Sequence, residues 1–336
     1  RQVWVHAVED YRPTLGGARL GAPCVGGVGE TDDAVFVSYW VWDRSLANSM
    51  QKGGVMAMAL ADGKPLWRQE IGDNEMTAPI FVRRAGKGQL FVGSANGNTY
   101  ALDAATGAIQ WKKTELDAVR SQPAYFEAPG GSLVVTGSKF GVVRGLDAAT
   151  GVERWNYGTG DRITGAPALL LEGRKARAFV GSYDQSLYEL DAGTGALKWH
   201  YKARGGIYSS PAVVASGAEM VLALSWDNML HAVSLEDGSS IFSAFTGRPL
   251  WNVAGMDDSN WSSPSAARID GSWMAFVGSY DGTLRSLPLG TSDRAAPDLR
   301  RTLWFYLSFP LVLIPFFSMA YALTVRERRR RNRAAE

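Results

Sequence analysis

The sequence predicts an all-β fold, a six-bladed β-propeller of four-stranded antiparallel blades closed by its N-terminal strand, followed by one C-terminal transmembrane α-helix. Three observations lead to this prediction. Tryptophans recur at a near-constant interval, each interval contains four short β-rich runs, and a run of 23 residues near the C-terminus contains no charge. A fixed period of 20 to 50 residues is typical of stacked or circular copies of one supersecondary unit.

The tryptophan period is the first of these observations. From Trp67 to Trp199 the interval is 44 residues each time. We interpret the tryptophans of this series as structural residues that each close one blade. The series is Trp4, Trp67, Trp111, Trp155, Trp199 and Trp251.

The repeated unit is visible when the copies are aligned on the tryptophan. Three copies are FVGSANGNTYALDAATGAIQW, VVTGSKFGVVRGLDAATGVERW and AFVGSYDQSLYELDAGTGALKW. Each contains two β-rich runs, a Leu-Asp pair, a Thr-Gly turn and a third run that ends in Trp. The glycine suits a turn position with positive φ, and the aspartate can accept hydrogen bonds from the turn backbone. These residues are Asp103, Asp147 and Asp191, with Gly107, Gly151 and Gly195.

Two further marks give the same number of units as the tryptophans. A proline opens a fourth apolar run in each unit, and a serine ends the second strand. The prolines are Pro23, Pro79, Pro123, Pro167, Pro211 and Pro264, and the serines are Ser38, Ser94, Ser138, Ser182, Ser225 and Ser279. Four strands per unit is the composition of a propeller blade. The sequence therefore predicts six blades.

The ends of the repeat array predict how the ring closes. The VWVHAV run around Trp4 is typical of an outer strand, and the last unit ends at GTLRSLPL without its tryptophan strand. We therefore expect the N-terminal strand to complete the last blade, which removes exposed sheet edges. Extra residues at 39–55 and near 236–245 are expected to form surface loops.

The C-terminal region has the composition of a membrane anchor. We divide the chain into a propeller (1–290), a linker (291–302), a transmembrane helix (303–325) and an Arg-rich tail (326–336). A helix of 23 residues is about 34 Å long, and the apolar part of a bilayer is about 30 Å thick. Six arginines follow this run and two precede it.

The arginines predict the orientation of the anchor. The positive-inside rule places the C-terminus in the cytoplasm and the propeller on the periplasmic side of a bacterial inner membrane. We expect a secretory signal to precede Arg1, removed on export. The tail side chains expected to contact lipid headgroups are Arg326, Arg328, Arg329, Arg330 and Arg331.

Charge and cysteine content exclude several classes of function. The net charge is +2, but residues 1–297 contain 27 basic and 30 acidic residues, and therefore sum to −3. This balance does not favour nucleic-acid binding. Cys24 is the one cysteine, so a disulfide within this chain and a multi-cysteine metal site are excluded. We expect Cys24 to be a small buried apolar residue.

The motif A-x-D-A-x-T-G-x-x-x-W resembles the repeat of the PQQ-like β-propeller family. It occurs as ALDAATGAIQW, GLDAATGVERW and ELDAGTGALKW, with degenerate copies ALADGKPLW and FTGRPLW. The resemblance covers residues 1–290 and implies the propeller fold. The family includes quinoprotein dehydrogenases and non-catalytic BamB-like scaffolds, both typically eight-bladed, and six units here are a departure from that pattern.

A quinoprotein site would require residues that this sequence lacks. The resemblance implies a vicinal disulfide beside the cofactor, and one cysteine cannot form it. The sequence also lacks a dense set of oxygen ligands for Ca²⁺, and its histidines (His6, His200 and His231) have no metal-ligand spacing. We therefore expect no cofactor, no metal and no catalytic residue.

A protein-binding rim is the candidate functional feature. Loops between each tryptophan strand and the next proline strand should surround one end of the central channel, and their mixed charges and aromatic residues suit a protein interface. Trp40 and Trp42 share one face of a strand in the first insertion and suit either docking or packing. The candidate rim residues are Asn74, Glu75, Arg120, Arg162, Arg204, Tyr208, Asn260 and Trp261, together with Trp40 and Trp42.

These features predict a membrane-anchored, extracytoplasmic accessory or assembly subunit of a larger membrane protein complex. Its expected partners are other subunits of that complex and the lipid bilayer, which residues 303–325 contact. A membrane-bound, PQQ-dependent dehydrogenase and a ligand-sensing ectodomain are the two alternatives.

Overall fold

The computed structural model describes residues 18–20, 22–27, 33–42, 51–72, 76–84, 86–128, 130–173, 175–246, 262–278 and 283–289. These residues form 24 β-strands in six antiparallel sheets, with no helix among them. The chain divides into one unit of Arg1–Thr291 and a second of Ser292–Glu336, and all described residues belong to the first.

The sheets follow one another along the chain, and we number sheets and strands in that order. Sheet 1 contains β1 (Ala18–Leu20), β2 (Cys24–Gly26), β3 (Ala34–Trp42), β4 (Gln51–Ala59) and β5 (Pro65–Gly72). Sheet 2 contains β6 (Ile80–Arg84), β7 (Lys87–Ser94), β8 (Asn98–Asp103) and β9 (Ile109–Thr114). Sheet 3 contains β10 (Ala124–Phe126), β11 (Leu133–Gly137), β12 (Val142–Asp147) and β13 (Glu153–Gly158).

The last three sheets repeat this order. Sheet 4 contains β14 (Ala168–Glu172), β15 (Lys175–Gly181), β16 (Ser186–Asp191) and β17 (Leu197–Lys202). Sheet 5 contains β18 (Ala212–Val214), β19 (Met220–Leu224), β20 (Met229–Ser234) and β21 (Ser240–Phe245). Sheet 6 contains β22 (Ser265–Ile269), β23 (Ser272–Gly278) and β24 (Leu284–Pro288).

Each sheet is an antiparallel meander in which sequential strands pair. In sheet 1 both β1 and β2 pair with β3, Leu20 opposite Tyr39 and Cys24 opposite Phe36, so the two short strands take the place of one inner strand. The predicted prolines immediately precede the inner strands of all six sheets, which confirms this mark. They are Pro23, Pro79, Pro123, Pro167, Pro211 and Pro264.

Consecutive sheets pack against each other through buried apolar side chains. Between sheets 3 and 4 the core includes Val135, Val180 and Leu190, all fully buried. Equivalent clusters join sheets 1 and 2, 2 and 3, 4 and 5, and 5 and 6. Four-stranded meanders that pack in chain order form a β-propeller, and the all-β prediction is confirmed.

The tryptophans form the second connection between neighbouring sheets. The indole N–H of Trp155 in β13 donates to the carbonyl of Ala192, at the end of sheet 4's third strand, with an N···O distance of 3.0 Å. Its ring lies on Gly195, where an added Cβ would be 2.5 Å from Cε3 of Trp155. Gly195 has a φ of +75°, so both its backbone and its contact favour glycine.

The same contact recurs at three other interfaces. The indole N–H groups of the three tryptophans donate to carbonyls of the next sheet at 2.9, 3.1 and 3.4 Å, and each ring covers a glycine of that sheet. The sets are Trp67 with Ala104 and Gly107, Trp111 with Ala148 and Gly151, and Trp199 with Leu235 and Gly238. We call this arrangement the tryptophan–glycine contact.

The turn aspartates of the repeats have the predicted local role. Oδ1 of Asp191 accepts hydrogen bonds from the backbone N–H groups of Gly193 and Thr194, both at 3.0 Å, and from Oγ1 of Thr194 at 3.0 Å. Asp103 and Asp147 make the same three bonds in their turns. The predicted Asx-turns are confirmed, and these aspartates fix the turns that carry the glycines.

In sheet 5 the structure corrects the repeat alignment. The outer strand of each of the first five sheets has a β-bulge next to the tryptophan position, and in sheet 5 the residue at this position is Phe242, opposite Ala232. The assignment of Trp251 to this position was therefore wrong, and Trp251 lies outside the described residues. Residues 236–245 were predicted as an insertion, but they form the turn into β21 and β21 itself.

The first insertion is also different from the prediction. Residues 39–42 and 51–55 extend β3 and β4 as a long hairpin, with Ser38 inside β3 rather than at its end. Alternating aromatic and β-branched residues favour strand over loop. Of the predicted surface loop, only residues 43–50 remain, and these lie outside the described part.

Several predictions fall outside the described residues. These are the N-terminal closing strand with Trp4, the linker, the 303–325 helix and the Arg-rich tail with Arg326 and Arg328 to Arg331. Across the described residues, no helix has the length and apolarity to cross a membrane.

The tryptophan–glycine contact predicts that Gly195→Ala destabilises the protein more than Gly217→Ala does. Both glycines have positive φ (+75° and +84°), but only at Gly195 would the new methyl group meet a ring, since nothing lies within 4 Å of a Cβ at Gly217. We expect a loss of about 1 kcal/mol at Gly217 from backbone strain and about 1–3 kcal/mol more at Gly195 from overpacking. Urea unfolding of the purified variants measures both losses, and equal losses would contradict the packing role of Trp155.

Candidate functional site

One end of the propeller is built from turns and loops that meet between the sheets. The turns connect the second and third strands of a sheet, and the loops lead from one outer strand into the next sheet. We call this end the loop face. It comprises turns 94–98, 138–142, 182–186 and 225–229 and loops 115–123, 159–167 and 203–211.

Backbone hydrogen bonds hold each loop between two turns. Ile163 donates its N–H to the carbonyl of Ser138 in the sheet that the loop leaves, and Tyr183 of the next sheet donates to the carbonyl of Arg162, both at 3.0 Å. The other two loops repeat the pattern. Their bonds are Val119 to Ser94, Lys139 to Ala118, Ile207 to Ser182 and Trp226 to Gly206, at 2.9 to 3.0 Å. The loop face is therefore ordered by the same repeat as the sheets.

The fourth residue of each turn has a left-handed backbone. In two turns this residue is glycine, but in the others it is Gln185, with φ of +77°, and Asn228, with φ of +64°. A side chain in this region costs about 1–2 kcal/mol, although asparagine tolerates it best. The strain is therefore concentrated in the turns of sheets 4 and 5.

Three large apolar side chains of the loop face are exposed to solvent. Leu116 is 99% exposed, Phe140 is 70% exposed and Trp226 is 48% exposed. The backbone N–H of Phe140 donates to the carboxylate of Asp117, so Phe140 and Leu116 belong to adjoining segments. Exposed apolar groups that are held on ordered backbone are typical of interaction sites.

An aromatic cluster surrounds Trp226. The Tyr183 ring meets Trp226 edge-on, with ring centroids 4.7 Å apart, and the Arg162 guanidinium lies 4.6 Å from the centroid of Tyr183. Tyr208 lies 6.3 Å from Trp226 and is only 5% exposed. Burial raises the pKa of Tyr208 to about 12, so its hydroxyl stays neutral. Tyr208 therefore supports Trp226 from below.

The exposed charges of the loop face are mainly positive. Arg120, Lys139, Arg162 and Arg204 are exposed, whereas Asp161 is the one exposed acid among the described loop and turn residues. Acids on this face instead accept hydrogen bonds from the protein. Asp184, for example, accepts from Gly160 N–H at 2.7 Å and the Tyr188 hydroxyl at 2.6 Å.

A buried carboxyl begins the first described loop. Glu115 is 8% exposed and pairs with Arg144, whose Nε is also 3.4 Å from a carboxylate oxygen of Glu153. Burial raises the pKa of Glu115 to about 7, and the Arg144 charge only partly opposes this. Its backbone N–H donates to Gly97 in the neighbouring turn, so this titrating group lies at the base of the loop face.

His231 lies between a carboxylate and two hydroxyl groups, an arrangement that also occurs in catalytic sites, but we interpret its role here as structural. Its Nε2 lies 3.1 Å from Asp227, and its Nδ1 lies 2.9 Å from Ser243 Oγ and 3.0 Å from the Tyr201 hydroxyl. In sheet 4 the same two positions are Asp184 and Tyr188, four residues apart, and the Tyr188 hydroxyl donates an equivalent hydrogen bond to Asp184. The described residues contain no group of three metal-ligating side chains.

The predicted rim residues differ in their exposure, and some of them lie outside the described part of the chain. Arg120, Arg162 and Arg204 are exposed on the loop face as predicted, but Tyr208 is buried beneath Trp226 and cannot contact a partner directly. Trp40 is half-buried in β3, on the hairpin that projects from the same end. The Trp42 side chain lies outside the described part, as do Asn74, Glu75, Asn260 and Trp261.

Sequence reasoning missed the most exposed apolar residues of this face. Phe140, Tyr183 and Trp226 occupy the turn after the repeated serine, in SKFG, SYDQ and SWDN. An alignment of these turns would have shown that three of them contain a large aromatic residue, whereas the turn SANG contains only small or polar residues. Leu116 gave no such signal, since only the structure shows that its loop turns it outward.

Comparison with known proteins identifies the family. The sequence matches the PQQ_2 family, described as Outer membrane protein assembly factor BamB, over residues 51–128 and 120–294. The chain belongs to this family. The PQQ_2 match includes sheets 2 to 6 and the last two strands of sheet 1.

Solved structures share the fold of this PQQ_2 member. BamB from Moraxella catarrhalis has a TM-score of 0.54 at 16% identity, covering 81% of this chain and 75% of that one. The computationally designed Ika8 protein has a TM-score of 0.55 at 15% identity (77% and 81% covered), and Sqt1 from Saccharomyces cerevisiae 0.54 at 9% (77% and 82% covered). These likenesses show the propeller fold alone. Among curated protein sequences, none matches this chain.

The raised pKa predicts that Glu115 makes stability depend on pH. Folding raises this pKa from 4.5 to about 7, so the folded state holds the proton more tightly. Stability from this group is full below about pH 4.5 and falls as pH rises to about 7, by up to about 1.4 kcal/mol per pH unit. In Glu115→Gln we expect this fall to disappear between pH 5 and 8.

Glu153→Gln is the matched control, because Glu153 also faces Arg144 but is half-exposed and has a lowered pKa. Because the Glu153 charge contributes to the raised pKa of Glu115, this variant should keep the fall of stability with rising pH but shift it to slightly lower pH. Urea unfolding at several pH values measures both variants. A Glu115→Gln profile parallel to the wild type would show that Glu115 is ionised throughout this range.

Proposed function

We propose that this protein is a non-catalytic, membrane-anchored subunit that assembles or stabilises a larger membrane protein complex, and that its loop face binds a partner subunit. The observation that supports this function best is the exposure of Leu116, Phe140 and Trp226 on hydrogen-bonded loops. Large apolar side chains on a rigid surface favour protein association, because burying them releases ordered water without a large loss of chain entropy.

The family supports the same class of function. Its description names an outer membrane protein assembly factor, and the solved BamB structure shares the propeller fold. Membership in the family is compatible with a binding role that requires no cofactor. The proposal for this chain relies on its own loop face, because the solved neighbours are at most 16% identical to it.

The proposed architecture includes the parts outside the described residues. We propose six blades, with the strand around Trp4 pairing with β24 as the fourth strand of sheet 6, because β24 has no outer neighbour among the described strands. The uncharged run 303–325 would cross the inner membrane, with Arg326 and the following arginines at the cytoplasmic headgroups. The propeller would then lie in the periplasm.

The loop face predicts a specific loss of partners. We expect Leu116→Ser combined with Phe140→Ser to reduce co-purifying subunits at least tenfold, because both side chains are removed from the same surface. Val152→Ser is the control, since Val152 is 60% exposed but lies in a third-to-outer-strand turn at the opposite end of sheet 3. The measurement is affinity purification of the tagged full chain from native membranes in mild detergent, with quantitative mass spectrometry.

Two results would overturn this function. The wild-type protein could migrate as a lone monomer in its detergent belt with no co-purifying subunit. Alternatively, the double variant could retain its partners as well as the Val152→Ser control does. Circular dichroism of each variant should be unchanged, because all three side chains are exposed.

The proposed topology predicts opposite labelling of two engineered cysteines. In a Cys24→Ser background, Lys175→Cys at the exposed start of β15 should react with a membrane-impermeant maleimide in intact spheroplasts. Glu336→Cys should react only after lysis, since the positive-inside rule places the tail in the cytoplasm. Equal labelling of both sites before lysis would contradict a single membrane crossing.

A further inference from the structure

The loop face contains two apolar patches. The first consists of Leu116 and Phe140, and the second of Tyr183 and Trp226. Loop 159–167 lies between the turns of Phe140 and Tyr183, and its Arg162 guanidinium lies over the Tyr183 ring at 4.6 Å. A cation therefore lies between two places where apolar side chains could dock.

The positive and negative groups of this face differ in their availability. Exposed Lys139 immediately precedes Phe140. Exposed Arg204 lies near Trp226 through a tertiary contact, since its backbone N–H donates to Asp227, the residue after Trp226, at 3.2 Å. Among the described residues, Lys139, Arg162 and Arg204 form no salt bridge. Their charges are thus directed to solvent beside both patches.

The acids of the face are occupied by the protein itself. Glu115 pairs with Arg144, and Asp117 accepts from the backbone of Phe140. Asp184 and Asp227 accept from backbone N–H groups of the adjoining loops at 2.7 and 3.2 Å. A partner would therefore meet exposed cations and apolar groups, while four of the five carboxylates are held inward.

Building on the proposed function, we infer that the partner contributes an extended segment in which acidic side chains alternate with apolar ones. Its apolar residues would cover the two patches, and its carboxylates would meet Arg162, Arg204 and Lys139. Arginine favours this role because its planar guanidinium binds carboxylates with two parallel hydrogen bonds. Complementary charge would select this segment from other apolar peptides and accelerate its association.

The charge of the whole face favours a peptide over an anionic membrane. Its seven segments contain four basic and five acidic residues, a net charge of −1. A lipid surface responds to the summed charge of the face, so adsorption to anionic headgroups gains little. A peptide with spaced carboxylates can instead contact each cation individually.

Fluorescence anisotropy with three peptide probes tests this inference. Each probe has about twelve residues, alternating glutamate with leucine, lysine with leucine, or glutamate with serine. The purified full chain in detergent should bind the glutamate–leucine probe at least tenfold more tightly than the other two, after subtraction of binding to detergent alone. Raising NaCl from 0.05 to 0.5 M should weaken this binding, because salt screens the exposed charges.

Charge variants locate the site. Arg162→Glu combined with Arg204→Glu should weaken binding of the glutamate–leucine probe at least tenfold. Lys175→Glu is the matched control, an exposed cation at the opposite end of sheet 4, and should leave the affinity within twofold of wild type. Both variants should retain the wild-type circular dichroism.

The outcomes separate this inference from the proposed function. Three outcomes would each overturn the inference of an acidic partner segment. These are equal affinity for the lysine–leucine and glutamate–leucine probes, no binding of any probe, and displacement of the glutamate–leucine probe by phosphatidylglycerol vesicles. In those cases, loss of co-purifying subunits from the Leu116→Ser and Phe140→Ser double variant would still support a protein-binding loop face. Retention of all subunits by that double variant would instead overturn the proposed function.

Discussion

At four consecutive interfaces, a tryptophan of one sheet lies on a glycine of the next and donates its indole N–H to a carbonyl near it. The contact satisfies a buried polar group while it buries a large ring, and it works only where no Cβ intervenes. The glycine in turn depends on a turn that the preceding aspartate holds in most repeats. The relative position of neighbouring sheets, and with it the loop face, depends on this contact.

The loop face is a consequence of this rigid packing. Because the sheets are fixed to one another, the loops between them are held by backbone hydrogen bonds and by one fully buried apolar side chain each (Val119, Ile163 and Ile207), and their other side chains need not form a core. Leu116, Phe140 and Trp226 can then remain exposed without loosening the fold. Strain at Gln185 and Asn228 is tolerated in the same turns, since the surrounding hydrogen bonds determine their backbone.

Departures from the repeat follow physical rules that a motif search does not include. Phe242 replaces tryptophan in sheet 5, and the bulge and register are unchanged, because an aromatic ring of similar shape fills the position. The motif FTGRPLW resembles the repeat more closely than SLEDGSSIF does, yet the segment SLEDGSSIF forms the turn and the start of the outer strand that pairs in sheet 5. In sheet 1, β3 and β4 extend past the usual turn because their cross-strand pairs continue to Trp42 and Gln51.

The sequence by itself determined the strand-rich fold, the position of each inner strand after its proline, and the Asp and Gly turns, because these depend on local backbone chemistry repeated at a fixed period. It also located Arg162 and Arg204 on exposed loops. Only the tertiary structure decided that Tyr208 is buried under Trp226, that the segments of Leu116 and Phe140 adjoin, and that Glu115 is desolvated beside Arg144. Those properties arise where segments 18 to 29 residues apart in the sequence meet, and burial at such contacts depends on packing between sheets rather than on local pattern.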